Sequence, residues 1–328
     1  MADREAFASS SEIVRRKSEE IVLRPLTAPK LLTFDAEGTL IQLTAPRGLQ
    51  YREALLRAHK YYVRLPGPQA FEDAFAAAYA AAERTSPCYG CGRGVSSHQW
   101  WYNVMQQMYA RVCEEFNLPI EVLTEVQDEL FDDLFYEVFA GPEAWELTRH
   151  CGVVLERLRA WRDSGEGPVL GVLSNADERL VTILDNLGIL DYFDFVVTSR
   201  EIGCEKPSRQ MFDVALTRAG ITVPREALHC GNDLMLDVLA AKDAGWQACH
   251  IQQPPFEEDR DDVSLVSVSV PRFSPFSLVF RLICLFTCRC GTFGLLFLFA
   301  EFSLSRANLA STLLDTANIS WGLPVFAY

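Results

Sequence analysis

Between residues 143 and 251 short apolar runs alternate with segments of helical length, and this alternation constrains the fold more than any other feature of the chain. Apolar runs at 169–174, 193–198, 227–231 and 247–251 are separated by helical segments at 176–187, 208–219 and 234–244, with another at 143–163 ahead of them. A further run at 30–35 ends at Asp35 and enters a turn at Gly38. Strands joined through helices pair in parallel, because tight hairpins connect only antiparallel neighbours. The pattern predicts an α/β fold: a doubly wound parallel sheet with helices on both faces. In such sheets ligands bind beyond the carboxyl ends of the strands. Asp35, Ser174 and the Gly231-Asn232-Asp233 turn all fall at those ends.

The alternation is interrupted once. From about 47 to 139 apolar residues recur at helical spacing, as at Phe71, Phe75 and Tyr79, and no strand pattern breaks the stretch. Ser96 and Thr124 are placed to cap two of its helices. The chain thus divides into an N-terminal extension (1–27), a core from 28–45 and 143–256, an all-helical insertion at 46–142 and an apolar ending at 257–328.

Four local elements share one chemical logic. Asp35 heads Asp35-Ala36-Glu37-Gly38-Thr39-Leu40, and a carboxylate at a strand end can attack phosphorus to form an acyl-phosphate. Ser174-Asn175 offers a small hydroxyl and an amide to phosphate oxygens. Lys206, before Pro207, can neutralise charge on nucleophile and phosphate. Asn232, Asp233 and Asp237 supply oxygen ligands suited to Mg²⁺. Singly, each has a commoner structural use: turn residue, helix cap, solvated lysine, helix-dipole partner. Their placement at the ends of successive strands is what favours a shared site.

The order FDxxGTL, LSN, KP, then GND with a second Asp and AAKDAGW, resembles the haloacid dehalogenase (HAD) superfamily over about 28–45 and 145–255. SSHQWW and FDFVVTSREIGCEKPSRQMF resemble a eukaryotic group within it. The resemblance implies a Rossmann-like core with a helical type 1 cap that closes over the site and selects the substrate. It makes Asp35 the nucleophile, Glu37 the general acid/base, Ser174 and Asn175 phosphate binders and Lys206 the charge stabiliser. It assigns Mg²⁺ to Asp35, the Glu37 carbonyl, Asn232, Asp233 and Asp237. It further implies a small phosphorylated metabolite as substrate and a cytoplasmic or nuclear location. Two positions depart from the family pattern: Glu37 and Asn232 stand where many members carry Asp. The extra methylene of Glu37 matters, because a misplacement of about 1 Å can cost roughly a hundredfold in rate. Three activities follow: a Mg²⁺-dependent phosphomonoester phosphatase, a catalytically impaired binding protein, and a metal-independent 2-haloacid dehalogenase. The Asp233 and Asp237 pair argues against the last.

The formal net charge is −14, without a Lys/Arg run to offset it. Such a surface repels nucleic-acid phosphates, so no nucleic-acid partner is expected, and a phosphate site has to generate its own positive field. The ten cysteines sit mostly singly in apolar stretches, which suits buried thiols in a reducing compartment. Cys88 and Cys91 form one CxxC pair without the second pair of a structural zinc site, and read as a loop. Trp100 and Trp101 read as packing residues of the insertion, and His229 as a satisfied core histidine. The N-terminus lacks the apolar centre of a signal peptide. Residues 282–300 approach the ~20 needed to span a bilayer, with Arg289 near the middle. That segment reads as a membrane anchor, as a packed ending, or as sequence without a selected fold, the last favoured by the abrupt end of the resemblance near 255.

Overall fold

The computed structural model describes residues 28–58, 64–119, 121–124 and 126–251. The expected extension at 1–27 and the ending beyond 251, with its 282–300 segment, lie outside the described residues. No helix among the described residues is long and apolar enough to cross a membrane.

Five strands form the central sheet: β1 (Leu31–Phe34), β4 (Val169–Ser174), β5 (Phe195–Thr198), β6 (Ala227–Gly231) and β7 (Gln247–His250). Their order is β5-β4-β1-β6-β7, and every pair is parallel. All four residues of β1 are buried, as a central strand covered on both faces requires. Alternation along the strand assigns the faces. Leu32 and Phe34 join Leu170, Val172, Leu228 and Cys230 against the helices Cys151–Asp163 and Arg179–Asn186. Leu31 joins Leu173, Val197 and Ala227 against the helices Arg209–Ala219 and Ala240–Asp243. The sheet is doubly wound. The chain runs outward from β1 through β4 to β5 and returns to β6 on the other side of β1. Its switch point, where ligands bind in open α/β sheets, lies beyond β1 and β6.

A two-stranded antiparallel ribbon, β2 (Ile41–Leu43) with β3 (Trp145–Leu147), brackets the insertion, pairing Ile41 with Leu147 and Leu43 with Trp145. Between them the long helices are α1 (Arg47–Ala58), α2 (Pro68–Thr85) and α3 (Ser97–Glu115). They bury stripes at helical spacing: Phe71, Phe75, Ala78 and Ala82 on α2, and Trp100, Val104, Met108 and Val112 on α3. The Ser96 hydroxyl caps α3 by accepting from the Gln99 N–H at 3.0 Å. Thr124 does not start a helix; it ends the short turn Glu121–Thr124, and the following helix begins at Gln127 behind Val126.

The segment 143–163 also differs from its expectation as one helix. Pro142–Ala144 is a 3₁₀ turn, β3 follows, and the helix begins only at Cys151 after His150 at φ +66°. Trp145–Leu147 is extended because its partner lies about a hundred residues upstream, and a three-residue strand has no period of its own to read.

Candidate active site

Asp35 follows β1 directly, and its N–H donates to the Cys230 carbonyl at 2.9 Å, extending the β1–β6 pairing by one residue. Its Oδ1 accepts from Lys206 Nζ at 2.7 Å and from Ser174 Oγ at 3.1 Å. Lys206 Nζ also donates to Asp237 Oδ1 at 2.6 Å. Segments 139, 171 and 31 residues apart thus meet on one ammonium and one carboxylate. Asp35, Ser174, Lys206 and Asp237 are all buried, Lys206 to 2% exposure.

Glycines make the convergence sterically possible. A Cβ on Gly231 would lie 2.2 Å from Asp237 Cγ, so the carboxylate occupies the space a side chain would need. Gly38 takes φ +80°, and a Cβ there would meet Asn232 Nδ2 at 2.5 Å, which brings the turn after β1 against the turn after β6. Thr39 Oγ1 donates to Asn232 Oδ1 at 3.2 Å across the same junction.

Asn175 does not simply face a ligand. Its Oδ1 accepts from the Lys206 N–H at 2.7 Å and its Nδ2 donates to the Lys206 carbonyl at 3.0 Å. This reciprocal amide pair fixes the backbone that carries the lysine, next to the cis Lys206–Pro207 bond.

The electrostatics follow from burial against pairing. Burial lowers the affinity of Lys206 for its proton, but the Asp35 and Asp237 charges outweigh it and hold the ammonium above its ordinary value. Burial pushes Asp237 up; the His229 hydrogen bond and the Lys206 charge overcome that and hold it well below the usual carboxylate range. Asp35 is lifted above that range by burial, with Lys206 opposing and the Asp237 charge adding to the lift.

Glu37 is placed differently. Its Oε1 accepts from Arg47 Nη2 at 2.9 Å, and the side chain is 55% exposed. The Arg47 guanidinium in turn lies over the Phe75 ring, 5.0 Å from its centroid. Asn232 and Asp233 are exposed at the mouth of the β6 turn. Asp233 Oδ1 caps the next helical turn, accepting from the Met235 and Leu236 N–H groups at 2.7 and 2.8 Å.

These assignments decide what can hold a cation. Among the described residues no group of three or more His, Cys, Asp or Glu side chains is arranged to hold a metal. Asp237, expected as a ligand, has both oxygens committed: Oδ1 to Lys206 and His229, Oδ2 to the Asp233 N–H at 2.9 Å. Asp233 Oδ1 is engaged as a cap, and the Glu37 carboxylate is turned to Arg47. The oxygens that remain suitable are the Asp35 carboxylate, the Glu37 carbonyl, the Asn232 amide oxygen, which also accepts from Thr39, and the second oxygen of Asp233. That is a set of one or two carboxylates. It fits Mg²⁺, which keeps several waters and takes one or two carboxylates, better than a cation needing a full protein cage.

Several participating residues carry no motif signal. Thr33 and His229 stand behind Asp237 in β1 and β6, and Arg47 holds Glu37. Asp177 accepts from Arg179 Nη2 at 2.7 Å and from Trp101 Nε1 at 2.5 Å, so Trp101 fastens the insertion to the loop after β4 as well as packing. Trp100, in contrast, is buried inside the insertion and donates to the Ser86 carbonyl at 2.7 Å. Tyr89, inside the CxxC loop, donates to the Asn175 carbonyl at 2.9 Å.

A carboxylate that takes a hydroxyl and a buried ammonium at the switch point of a doubly wound parallel sheet defines an α/β protein with an aspartate-centred site. The family model for haloacid dehalogenase-like hydrolases matches residues 29–245, and the chain belongs to that family. It is 35% identical over 217 residues to haloacid dehalogenase-like hydrolase domain-containing protein 3 of Mus musculus, covering 66% of this chain and 79% of that one. The Bos taurus protein of the same name is 31% identical over 75% of this chain and 90% of its own length. The rhythmically expressed gene 2 protein of Drosophila melanogaster is 29% identical over 71% and 87%. Among solved structures, the HAD-hydrolase YfnB of Bacillus subtilis bound to magnesium superposes with a TM-score of 0.50 at 15% identity, over 69% of this chain and 89% of that one. That likeness concerns the fold.

Proposed function

We propose that this HAD-family hydrolase is a Mg²⁺-dependent phosphomonoester phosphatase that acts on a small phosphorylated metabolite. The observation that carries the reading is the shared contact of Lys206 and Ser174 on Asp35 Oδ1. A phosphoryl group in front of Asp35 meets a hydroxyl and an ammonium already held in place, so charge developing at the transferred oxygens is stabilised without reorganisation. Asp35 attacks phosphorus, the bond to the leaving alkoxide breaks, and an acyl-phosphate forms on Asp35. Glu37 donates the proton the alkoxide takes, then removes one from the water that releases phosphate. Asp35, the Glu37 carbonyl and Asn232 would hold Mg²⁺, which supplies countercharge to phosphate oxygens.

The test is turnover of a panel of phosphomonoesters with Mg²⁺ and with EDTA, and with Asp35→Asn as the control. Mg²⁺-dependent phosphate release that vanishes in Asp35→Asn is expected. No release from any substrate by folded protein would end the reading.

The Glu37–Arg47 ion pair favours a second reading, a binding protein of the same fold whose acid/base carboxylate is sequestered. Glu37→Asp separates the two. A shorter carboxylate beyond reach of Arg47 raises turnover in a slow phosphatase and leaves a binding protein inactive.

A further inference from the structure

We propose that His229 is a positioning residue that sets, through Asp237, how Lys206 is shared with the nucleophile. The inference rests on the phosphatase reading for its kinetic consequence only.

His229 lies in β6 directly opposite Thr33 of β1. Its ring is fully buried, closed off by the Phe212 ring in an edge-on contact at 5.6 Å. Substrate therefore does not reach it. A buried imidazole at a fully enclosed strand position costs desolvation that an aliphatic side chain avoids, unless both nitrogens are used. Both are. Nδ1 lies 2.8 Å from Thr33 Oγ1, and Nε2 lies 3.1 Å from Asp237 Oδ1. Asp237 is an anion and only accepts, so Nε2 carries the hydrogen and Nδ1 accepts from the Thr33 hydroxyl. Asp237 thereby selects the tautomer, and the Thr33 hydroxyl completes it by donating to the remaining ring nitrogen.

The same oxygen of Asp237 takes Lys206 Nζ at 2.6 Å, while Lys206 reaches Asp35 at 2.7 Å. The ammonium is balanced between two carboxylates at nearly equal distance. Its balance depends on how much of the Asp237 charge is satisfied elsewhere, and His229 and the Asp233 N–H are the groups that satisfy it. With the imidazole donor gone, Asp237 attracts Lys206 more strongly and draws it away from Asp35. A displacement of about 1 Å at a reacting group costs roughly a hundredfold in rate.

The experiment compares His229→Leu, His229→Gln and Thr33→Val by steady-state kinetics and by the ¹⁵N–¹H signal of the Lys206 ammonium, whose burial and two carboxylate bonds slow its exchange with water. Glutamine can donate to Asp237 and accept from Thr33. His229→Leu is expected to lower kcat roughly 10- to 100-fold with KM within about threefold, and to move the Lys206 signal. His229→Gln is expected to keep kcat within about threefold and leave the signal in place. Thr33→Val, which disturbs the interior least, gives a smaller change in the same direction and decides the matter if His229→Leu does not fold. An unmoved Lys206 signal in both His229→Leu and Thr33→Val overturns the proposal whether or not the protein turns over a phosphomonoester. A moved signal in a protein without turnover supports it and overturns the phosphatase reading alone.

Discussion

At the scale of single residues the site depends on what Gly231 lacks. Its missing side chain leaves room for the Asp237 carboxylate. Gly231→Ala places a methyl group inside van der Waals contact with Asp237 Cγ, and overpacking of this kind costs about 1–3 kcal/mol. A lower unfolding temperature and loss of turnover are expected together, because Asp237 moves away from Lys206; a stable, fully active variant contradicts the geometry. The raised Asp35 has its own signature. On the proposed reading Asp35 attacks in its ionised form, and its burial places that ionisation above the ordinary carboxylate range. In the metal-free protein the Asp35 carboxyl ¹³C signal is therefore expected to titrate at higher pH than an ordinary aspartate, and titration at or below the ordinary value counts against a buried carboxylate. Asp35 and Ser174 were legible in the sequence because both stand at strand ends of a doubly wound sheet, and Lys206, beyond the helical turn Ser199–Ile202 that follows β5, was legible through the family resemblance. Thr33, His229 and Arg47 were not, since their importance lies in partners that only the β1–β6 register and the fold of the insertion supply.

At the scale of elements, the insertion is tied to the core through the loop after β4. Asp177 is 4% exposed and gathers donors from Trp101 of α3 and from Arg179. Arg179 lies over the Trp101 ring at 4.9 Å and the Phe135 ring at 4.2 Å. Breaking a buried ion pair by removing one partner costs about 3–5 kcal/mol. Asp177→Ala is expected to lose about that much in urea unfolding and to raise KM, as Trp101 loses its anchor; an unchanged unfolding midpoint removes Asp177 from this role. The strands of the core were readable as short apolar runs and the helices of the insertion from a period of 3.6. The β2–β3 ribbon was not, because each strand is three residues long and pairs across about a hundred residues of chain.

At the scale of the whole molecule, burial of paired charges couples stability to pH. Asp237 and Asp177 both ionise below the usual carboxylate range in the folded state, despite the upward push of burial. A depressed carboxylate contributes stability that is complete above the unfolded value of about 3.9 and is lost as pH falls through the folded value. Urea midpoints are therefore expected to decline below about pH 4, and Asp237→Asn is expected to flatten that decline. An identical pH dependence in the variant removes Asp237 from the account. The parallel α/β class was legible because strands joined through helices pair in parallel. The distribution of ligands at the turn after β6 was not, since spacing cannot tell an Asp that caps a helix from one that binds a cation.

The most direct test of an Asp35-centred phosphoryl transfer is to mix the protein with a turned-over ³²P-labelled phosphomonoester, quench in acid and locate the label. The account predicts an acid-stable, hydroxylamine-labile phosphate on the peptide that contains Asp35, absent from Asp35→Asn. Turnover that leaves no label on that peptide, or that persists in Asp35→Asn, contradicts it.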